Sequence, residues 1–95
     1  MDIVKPKNNR VYVYSKSNCD YCKKVKTLLT EEDIEFVVVD CDKYLEEDKD
    51  KFLDSMKNII GFEYRKFPMV FMDSKFIGGY NETFKYLEDN KEEFF

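Results

Sequence analysis

Hydrophobic and polar positions along the first half of the chain fall into blocks that predict two strands around a helix. Residues 11–14 are β-branched and aromatic, and they predict a strand. Apolar residues then recur at spacings of three and four, which predicts an amphipathic helix over about residues 20–33. Residues 36–39 form an uninterrupted apolar run ended by Asp40, typical of a strand covered on both faces. This order predicts a parallel βαβ unit.

The pattern of the second half predicts a long helix followed by a hairpin. Apolar positions over residues 44–60 share one helical face, while the charged run at residues 46–51 alternates in sign on the other. We interpret that run as a solvated helix face rather than an acidic docking patch. Residues 67–72 and 75–77 predict two antiparallel strands around a turn at residues 73–74.

A last helix is predicted after Gly78 and Gly79, which end the second strand of the hairpin. Its predicted inner stripe comprises Tyr80, Thr83, Phe84, Leu87 and Lys91, with Phe94 and Phe95 at a frayed end. The predicted order is therefore βαβαββα. Since no repeat or linker interrupts it, we expect one domain over residues 1–95.

Composition removes several classes of chemistry. The chain has 95 residues, of which 43% are apolar, and this is enough for one folded core. It has no histidine, which excludes Ser-His-Asp triads, Cys-His protease pairs and histidine metal sites. Its three cysteines cannot fill an all-cysteine zinc site, so no metal is expected within one chain. The net charge of −4 speaks against nucleic acid as a partner.

Hydropathy gives no reason to expect a membrane protein. The longest apolar stretch covers residues 67–72 and contains Pro68, whereas a spanning helix needs about 20 residues. The start of the sequence lacks the apolar run of a signal peptide. We therefore expect a cytoplasmic protein with reduced thiols.

The segment Cys19-Asp20-Tyr21-Cys22 carries the candidate chemistry, because it opens the first helix directly after a strand and a loop. With Asn18 or Cys19 as the N-cap, Cys19 lies where free backbone N–H groups and the helix dipole favour a thiolate. Cys22 lies three residues further along the helix, on its apolar face, so it should be the more buried thiol. This arrangement predicts a redox pair in which one thiol attacks and the other resolves; the alternative is two inert core cysteines.

Three motifs in this order resemble the glutaredoxin family of the thioredoxin fold. Lys16 precedes the Cys-x-Tyr-Cys motif by three residues, Phe67 and Pro68 open the third strand, and Gly78-Gly79 precedes the last helix. The resemblance runs from about residue 11 to residue 87. It implies an α/β fold with a four-stranded mixed sheet flanked by about three helices, and a cis bond before Pro68.

The resemblance also implies a function. Glutaredoxins reduce protein disulfides and glutathione mixed disulfides by means of glutathione. Cys19 would be the nucleophile that takes the glutathionyl group, and Cys22 would resolve protein disulfides. The implied partners are glutathione and proteins that are disulfide-bonded or glutathionylated, and the chain is expected to act as a monomer.

A glutathione groove is implied by the same motifs. Lys16 would pair with the glycine carboxylate, the backbone of Phe67 would bond the cysteinyl part, and residues 79–81 would hold the γ-glutamyl end. The complete implied set is Lys16, Tyr21, Arg65, Phe67, Pro68, Gly79, Tyr80 and Asn81, with Arg65 as a second carboxylate ligand. Alternatively, Lys16 is one of 14 solvated lysines, the glycines form a mere turn, and Tyr80 packs in the core.

The chain departs from the family pattern at several positions. Asp20 replaces the usual proline, and its carboxylate is expected to disfavour the Cys19 thiolate. Lys66 and Phe67 replace a threonine and a valine, which changes the groove wall. Asn81 replaces an acidic residue, which weakens the hold on glutathione unless Glu82 reaches it. The connection at residues 61–66 is longer than usual.

Cys41 lies far in sequence from the pair, and we interpret it as a partly buried bystander, with a disulfide-linked dimer as the lesser outcome.

Two other functions stay open at this point. The first is a [2Fe–2S] carrier, with Cys19 of two chains and two glutathiones as ligands; the presence of Cys22 argues against it. The second is a thioredoxin-like reductant of a specific enzyme such as ribonucleotide reductase, served by a reductase. The absence of tryptophan, together with Lys16 and Gly78-Gly79, argues against that function.

Overall fold

A computed structural model describes residues 1–90 of the chain. Its elements, in chain order, are β1 (Val11–Ser15), α1 (Asp20–Glu31), β2 (Val37–Asp40), α2 (Asp42–Ile60), β3 (Met69–Met72), β4 (Lys75–Gly78) and α3 (Tyr80–Asp89). The predicted order βαβαββα is confirmed. The predictions for Lys91, Phe94 and Phe95 concern positions outside the described residues.

The four strands form one mixed sheet in the order β2-β1-β3-β4. β1 runs parallel to β2 and antiparallel to β3, and β3 runs antiparallel to β4. The predicted α/β architecture, a thioredoxin-like four-stranded mixed sheet with three helices, is confirmed.

The second strand lies at an edge of the sheet, so the prediction that it is covered on both faces is wrong. Val39 is buried, but Val38 keeps 45% of its surface exposed. The apolar run in the sequence resembles a central strand, yet β2 pairs with β1 alone. An uninterrupted apolar run thus describes the side chains of a strand and not its place in the sheet order.

The core lies on both faces of the sheet, because side chains alternate along a strand. Tyr12 and Tyr14 of β1 pack with Phe52 and Met56 of α2 on one face. On the other face, Val11 and Val13 pack with Val25 and Leu29 of α1 and Leu87 of α3. The sheet is therefore enclosed between α2 on one side and the pair α1 and α3 on the other.

Helix α3 buries a narrower stripe than the sequence predicts. Thr83 and Leu87, four residues apart, are buried, whereas Phe84 is 45% exposed. The prediction that Phe84 belongs to the inner stripe is wrong, because its direction on the helix turns away from the α1 contact. Its ring lies instead 6.3 Å from that of Tyr80.

Two local features set the path of the chain. Asp73 and Ser74 both have positive φ angles, 51° and 63°, as the tight turn of a β3–β4 hairpin requires. Helix α2 is interrupted at Asp48, whose φ of −163° and ψ of 90° are extended. The Asp48 carboxylate accepts from the backbone N–H of Lys51 at 3.1 Å, so it caps the second part of the helix. The charged run around it is exposed, as predicted.

Candidate active site

Cys19 and Cys22 lie at the point where β1 passes into α1. Cys19 is the N-cap, with an extended backbone (φ −123°, ψ 105°), and its Sγ accepts from the backbone N–H of Cys22 at 3.2 Å. Of the two predicted N-cap positions, Asn18 and Cys19, the structure confirms Cys19. Asn18 instead has a φ of 56°, which turns the loop toward the helix.

The two sulfurs lie at disulfide distance, and the two Cα atoms are 5.3 Å apart, within the range of protein disulfides. Cys22 is 1% exposed, whereas Cys19 is partly exposed, so the predicted difference in burial is confirmed. An incoming thiol or disulfide therefore meets Cys19 first.

The loop before Cys19 is held by α2. The Ser17 backbone N–H and hydroxyl both donate to the carboxylate of Asp42, the first residue of α2; the N–H bond is 2.9 Å long. These bonds hold the pKa of Asp42 below its usual range, with the hydroxyl bond as the larger cause. The sequence analysis missed this contact, because Ser17 and Asp42 are 25 residues apart and neither stands in a motif.

A cavity of about 530 Å³, which we name the aromatic groove, lies beside this helix start. Its lining is Tyr21, Glu63, Tyr64, Arg65, Lys66, Phe67, Gly79, Tyr80, Asn81 and Glu82. Of the residues expected to hold glutathione, the fold brings six to this cavity. They are Tyr21, Arg65, Phe67, Gly79, Tyr80 and Asn81.

The other two expected residues lie close by without lining the cavity. The Lys16 ammonium lies over the Phe67 ring, 5.6 Å from its centroid. Pro68 is buried and follows a cis peptide bond, as the resemblance implies. Its carbonyl faces Gly79, 3.6 Å from the position that a Cβ there would take.

Glu82 fixes the start of α3 at one end of the groove. Its Oε1 accepts from the Gly79 backbone N–H at 2.8 Å and stands against Gly78, where a Cβ would come within 2.8 Å of the Glu82 side chain. Gly78 also has a φ of 132°, a conformation open to glycine alone. The sequence named Glu82 as the acid that could replace the one missing at Asn81, and the fold places both residues in this groove.

Tyr64 is a groove residue that the sequence analysis missed. Its hydroxyl lies 3.2 Å from the position that a Cβ on Gly79 would take. Its ring packs edge-on against Phe76, with centroids 4.9 Å apart. Burial and the Glu82 carboxylate raise the pKa of Tyr64, so its hydroxyl keeps its proton to a higher pH than that of an exposed tyrosine. Only the length of the loop at residues 61–66 pointed to it.

Arg65, the expected second carboxylate ligand, is already paired. Its guanidinium lies 3.6 Å from the carboxylate of Asp50 and 3.4 Å from that of Glu63. Half of the Arg65 side chain is exposed, and such surface pairs contribute at most about 1 kcal/mol. A ligand carboxylate could bind Arg65 only by displacing the carboxylate of Asp50 or Glu63 from its guanidinium.

A second cavity, of about 380 Å³, opens directly onto both cysteines, and we name it the lysine groove. Its lining is Ser15, Lys16, Ser17, Asn18, Cys19, Cys22, Lys23, Lys26, Val38 and Asp40. None of these residues lines the aromatic groove. The start of α1 is therefore flanked by two different surfaces.

Cys41 is enclosed in the core, so the prediction of a partly buried thiol is wrong. It has no exposed surface, and its Sγ donates to the Val39 carbonyl at 3.5 Å. Burial raises the pKa of Cys41 to about 12. Such a thiol is out of reach of a second chain, which removes the disulfide-linked dimer through this residue.

Within residues 1–90, no helix is both long and apolar enough to cross a bilayer. Over the same residues, no three or more cysteine or acidic side chains come together as a metal site would require.

Comparisons with known proteins agree on one family. The glutaredoxin family model matches residues 11–77. Mitochondrial glutaredoxin-2 of Bos taurus is 31% identical over 84 residues, covering 88% of this chain and 51% of that protein. This chain thus spans about half the length of that relative.

Solved structures give the same result. Glutaredoxin 1 of Francisella tularensis, complexed with cacodylate, has a TM-score of 0.69 at 29% identity, covering 90% of this chain and 94% of that one. A buckwheat glutaredoxin–glutathione complex has a TM-score of 0.71 at 30% identity, covering 87% of this chain and 72% of the other.

Proposed function

The chain belongs to the glutaredoxin family, and from this premise we propose that it is a glutathione-dependent thiol-disulfide oxidoreductase. Its substrates are protein disulfides and glutathione mixed disulfides. The observation that carries the proposal is the Cys19–Cys22 pair, with Cys19 as the N-cap of α1 and Cys22 buried behind it.

With a glutathione mixed disulfide, the reaction needs Cys19 alone. The Cys19 thiolate attacks the sulfur of the glutathionyl group, the bond to the substrate sulfur breaks, and the substrate leaves as a thiolate. A second glutathione thiolate then attacks the Cys19-bound glutathionyl sulfur, which releases oxidised glutathione and restores Cys19. The backbone N–H of Cys22 donates to the Cys19 sulfur. This bond stabilises the Cys19 thiolate both before it attacks the substrate and after glutathione has restored it.

With a protein disulfide, Cys22 completes the exchange. Cys19 attacks one substrate sulfur and forms a mixed disulfide, and Cys22 attacks the Cys19 sulfur, so the substrate leaves as a dithiol. The chain is left with the Cys19–Cys22 disulfide, and two glutathiones reduce it. Since Cys22 stands within disulfide reach of Cys19 as a resolving thiol, the dithiol route is favoured over the [2Fe–2S] carrier, which has no role for a second cysteine.

The aromatic groove is the proposed site for glutathione. Tyr21 and Tyr80 form an aromatic wall, with ring centroids 6.2 Å apart. Glu82 and the Tyr64 hydroxyl stand together beside Gly79, as an acceptor for an ammonium and a donor for a carboxylate. The buckwheat complex, a relative with glutathione bound, supports this ligand.

The first experiment is turnover of a glutathione mixed disulfide, coupled to glutathione reductase and NADPH. Cys19→Ser should be inactive. Cys22→Ser should keep this activity but lose reduction of a protein disulfide, and Cys41→Ser, the matched control, should keep both. A folded wild type that is inactive with glutathione but active with thioredoxin reductase would replace the proposal by the thioredoxin-like function.

A second experiment tests the groove. Tyr64→Phe removes one hydrogen-bond donor and should raise the KM for glutathione about fivefold, since such a bond contributes about 1 kcal/mol. Asn81→Asp, which restores the family's acid, should lower that KM. If both variants keep the wild-type KM, glutathione does not occupy the aromatic groove.

A further inference from the structure

The lysine groove differs in charge from the rest of the chain. Three of its ten lining residues are lysines, Lys16, Lys23 and Lys26, and one is acidic, Asp40. The whole chain has a net charge of −4. With three lysines and one aspartate, the lining of this groove attracts an acidic group on a protein whose net charge is negative.

The position of this groove ties it to the reaction. Cys19 and Cys22 are both part of its lining, whereas neither lines the aromatic groove. A protein disulfide that presents one sulfur to Cys19 must place the chain on either side of that sulfur against the neighbouring surface. With glutathione assigned to the aromatic groove, the lysine groove is the surface left for the substrate protein.

Three carboxylates lie in or near the groove, and they offset part of its positive charge; the lining itself has three lysines and one aspartate. Asp42 does not line the groove; its carboxylate accepts the two bonds from Ser17 and interacts electrostatically with Lys16. This leaves Lys23 and Lys26 as the lysines free of that interaction. Asp20 is exposed in the first turn of α1, beside Cys19, and Asp40 lies at the end of β2. Asp20, Lys23 and Lys26 follow one another at spacings of three on α1 and therefore share one side of the helix, where the two lysines outnumber the one aspartate.

The groove also has an apolar part. Val38 is 45% exposed on the edge strand β2 and lines the groove. Val38 shares this groove with Lys23 and Lys26. Such a surface fits a peptide segment that carries an apolar residue and a carboxylate close together.

We propose that the lysine groove is the docking surface for protein substrates and that it selects disulfide-bearing segments with Asp or Glu beside the cysteine. The inference rests on the proposed function. Lys23 and Lys26 supply the selectivity, because the Lys16 ammonium is turned toward Phe67 of the aromatic groove.

The test compares two peptides that contain the same internal disulfide, one flanked by glutamates and the other by glutamines. The expected ratio of their kcat/KM values is about five, since two surface charge contacts contribute about 0.5 kcal/mol each. The ratio should fall toward one in the double variant Lys23→Gln/Lys26→Gln. It should also shrink in 0.5 M salt, where the screening length is roughly 4 Å.

The double variant Lys75→Gln/Lys85→Gln is the matched control. It removes the same charge from exposed lysines on β4 and α3 that line neither groove. It should keep the wild-type ratio. A change in Cys19 reactivity affects both peptides equally, so it cancels in the ratio of the two kcat/KM values measured for one variant. A wild-type ratio of one, or an equal fall of the ratio in both double variants, overturns the inference.

A binding measurement separates this inference from the proposed function. The acidic peptide with serines in place of its cysteines should shift the amide NMR signals of Lys23, Lys26 and Val38, and the glutamine peptide should shift them less. If the acidic peptide shifts these signals but the protein turns over no disulfide, the docking inference is supported and the oxidoreductase proposal fails. If mixed disulfides are turned over but neither peptide shifts these signals, the oxidoreductase proposal stands and the docking inference fails.

Discussion

Cys19 and Cys41 occupy the same position in two successive strand–helix units and have opposite chemistry. Cys19 follows β1 and is the N-cap of α1, and Cys41 follows β2 and is the N-cap of α2. The Cys19 sulfur accepts a bond from the first turn of its helix and is partly exposed. The Cys41 sulfur makes no such bond, donates back to the carbonyl of Val39, and is fully buried.

The difference teaches that a helix start does not by itself activate a thiol. The free N–H groups of the first turn stabilise a thiolate only if the sulfur points at them and solvent or substrate can reach it. At Cys41 the backbone (φ −97°, ψ 2°) turns the side chain back toward the strand, where the sulfur acts as a donor and therefore keeps its proton. Four experiments break or sharpen this contrast.

The largest expected effect is on alkylation of the reduced, native protein at pH 7. The pKa of Cys41 is raised to about 12 by burial, and each unit lowers the thiolate fraction tenfold. We expect Cys19 to react with iodoacetamide at least about 10³-fold faster than Cys41, measured by mass spectrometry of tryptic peptides. Urea should remove the difference, and comparable rates in the native protein would contradict it.

The second effect is on stability. Cys41→Ala should lower the free energy of unfolding by about 1–2 kcal/mol, because it leaves a small cavity among Tyr14, Phe52 and their neighbours. Urea denaturation of the oxidised protein measures it. Cys19→Ala changes a partly exposed position, so it should lower the free energy of unfolding by less than Cys41→Ala does, with the reduced wild type as its reference. Equal losses would contradict the assigned burial.

The third effect is the pH dependence of stability. The pKa of Cys41 is near 9.0 in the unfolded chain and about 12 in the fold, so above pH 9 only the unfolded state loses this proton. The stabilisation is full below pH 9 and falls between pH 9 and 12, by about 1.4 kcal/mol per pH unit. Tyr14, whose pKa is also raised by burial, adds to the fall at higher pH in every variant.

Cys41→Ala is the control for this slope. In the oxidised protein it should remove the part of the decline that begins near pH 9, because no other cysteine is then free. A slope that is the same with and without Cys41 would contradict the assignment.

The smallest effect concerns Asp20, which lies in the first turn of α1 beside Cys19. Asp20→Asn removes a carboxylate that disfavours the thiolate, so the Cys19 alkylation rate at fixed pH should rise about threefold. The reaction of Cys41 in the same sample is the internal control, because Asp20 is far along the chain from it. An unchanged or slower rate at Cys19 would show that solvent screens this charge.

The sequence predicted those parts of the fold that depend on local pattern. The element order, the hairpin turn and Cys19 as the N-cap follow from side-chain periodicity, turn chemistry and the start of an amphipathic helix. The groove residues at 79–81 were expected from the family resemblance, and the fold brings them to the aromatic groove.

The parts it did not predict depend on contacts between distant segments. The exposure of Val38 follows from the sheet order, which a strand's own residues do not specify. Tyr64 reaches Gly79 because the loop at residues 61–66 folds over β4, and the depth of Cys41 follows from the packing of α2. The interruption at Asp48 lies inside residues 44–60, whose apolar spacing predicts one continuous helix.

That interruption divides α2 into two parts with different attachments to the fold. The first part begins with Asp42, which holds the loop before Cys19 through Ser17. The second carries Phe52 and Met56, which are fully buried against the sheet. All the buried residues of α2, which are Phe52, Leu53 and Met56, lie in the second part, so amide exchange should be slower after Asp48 than before it.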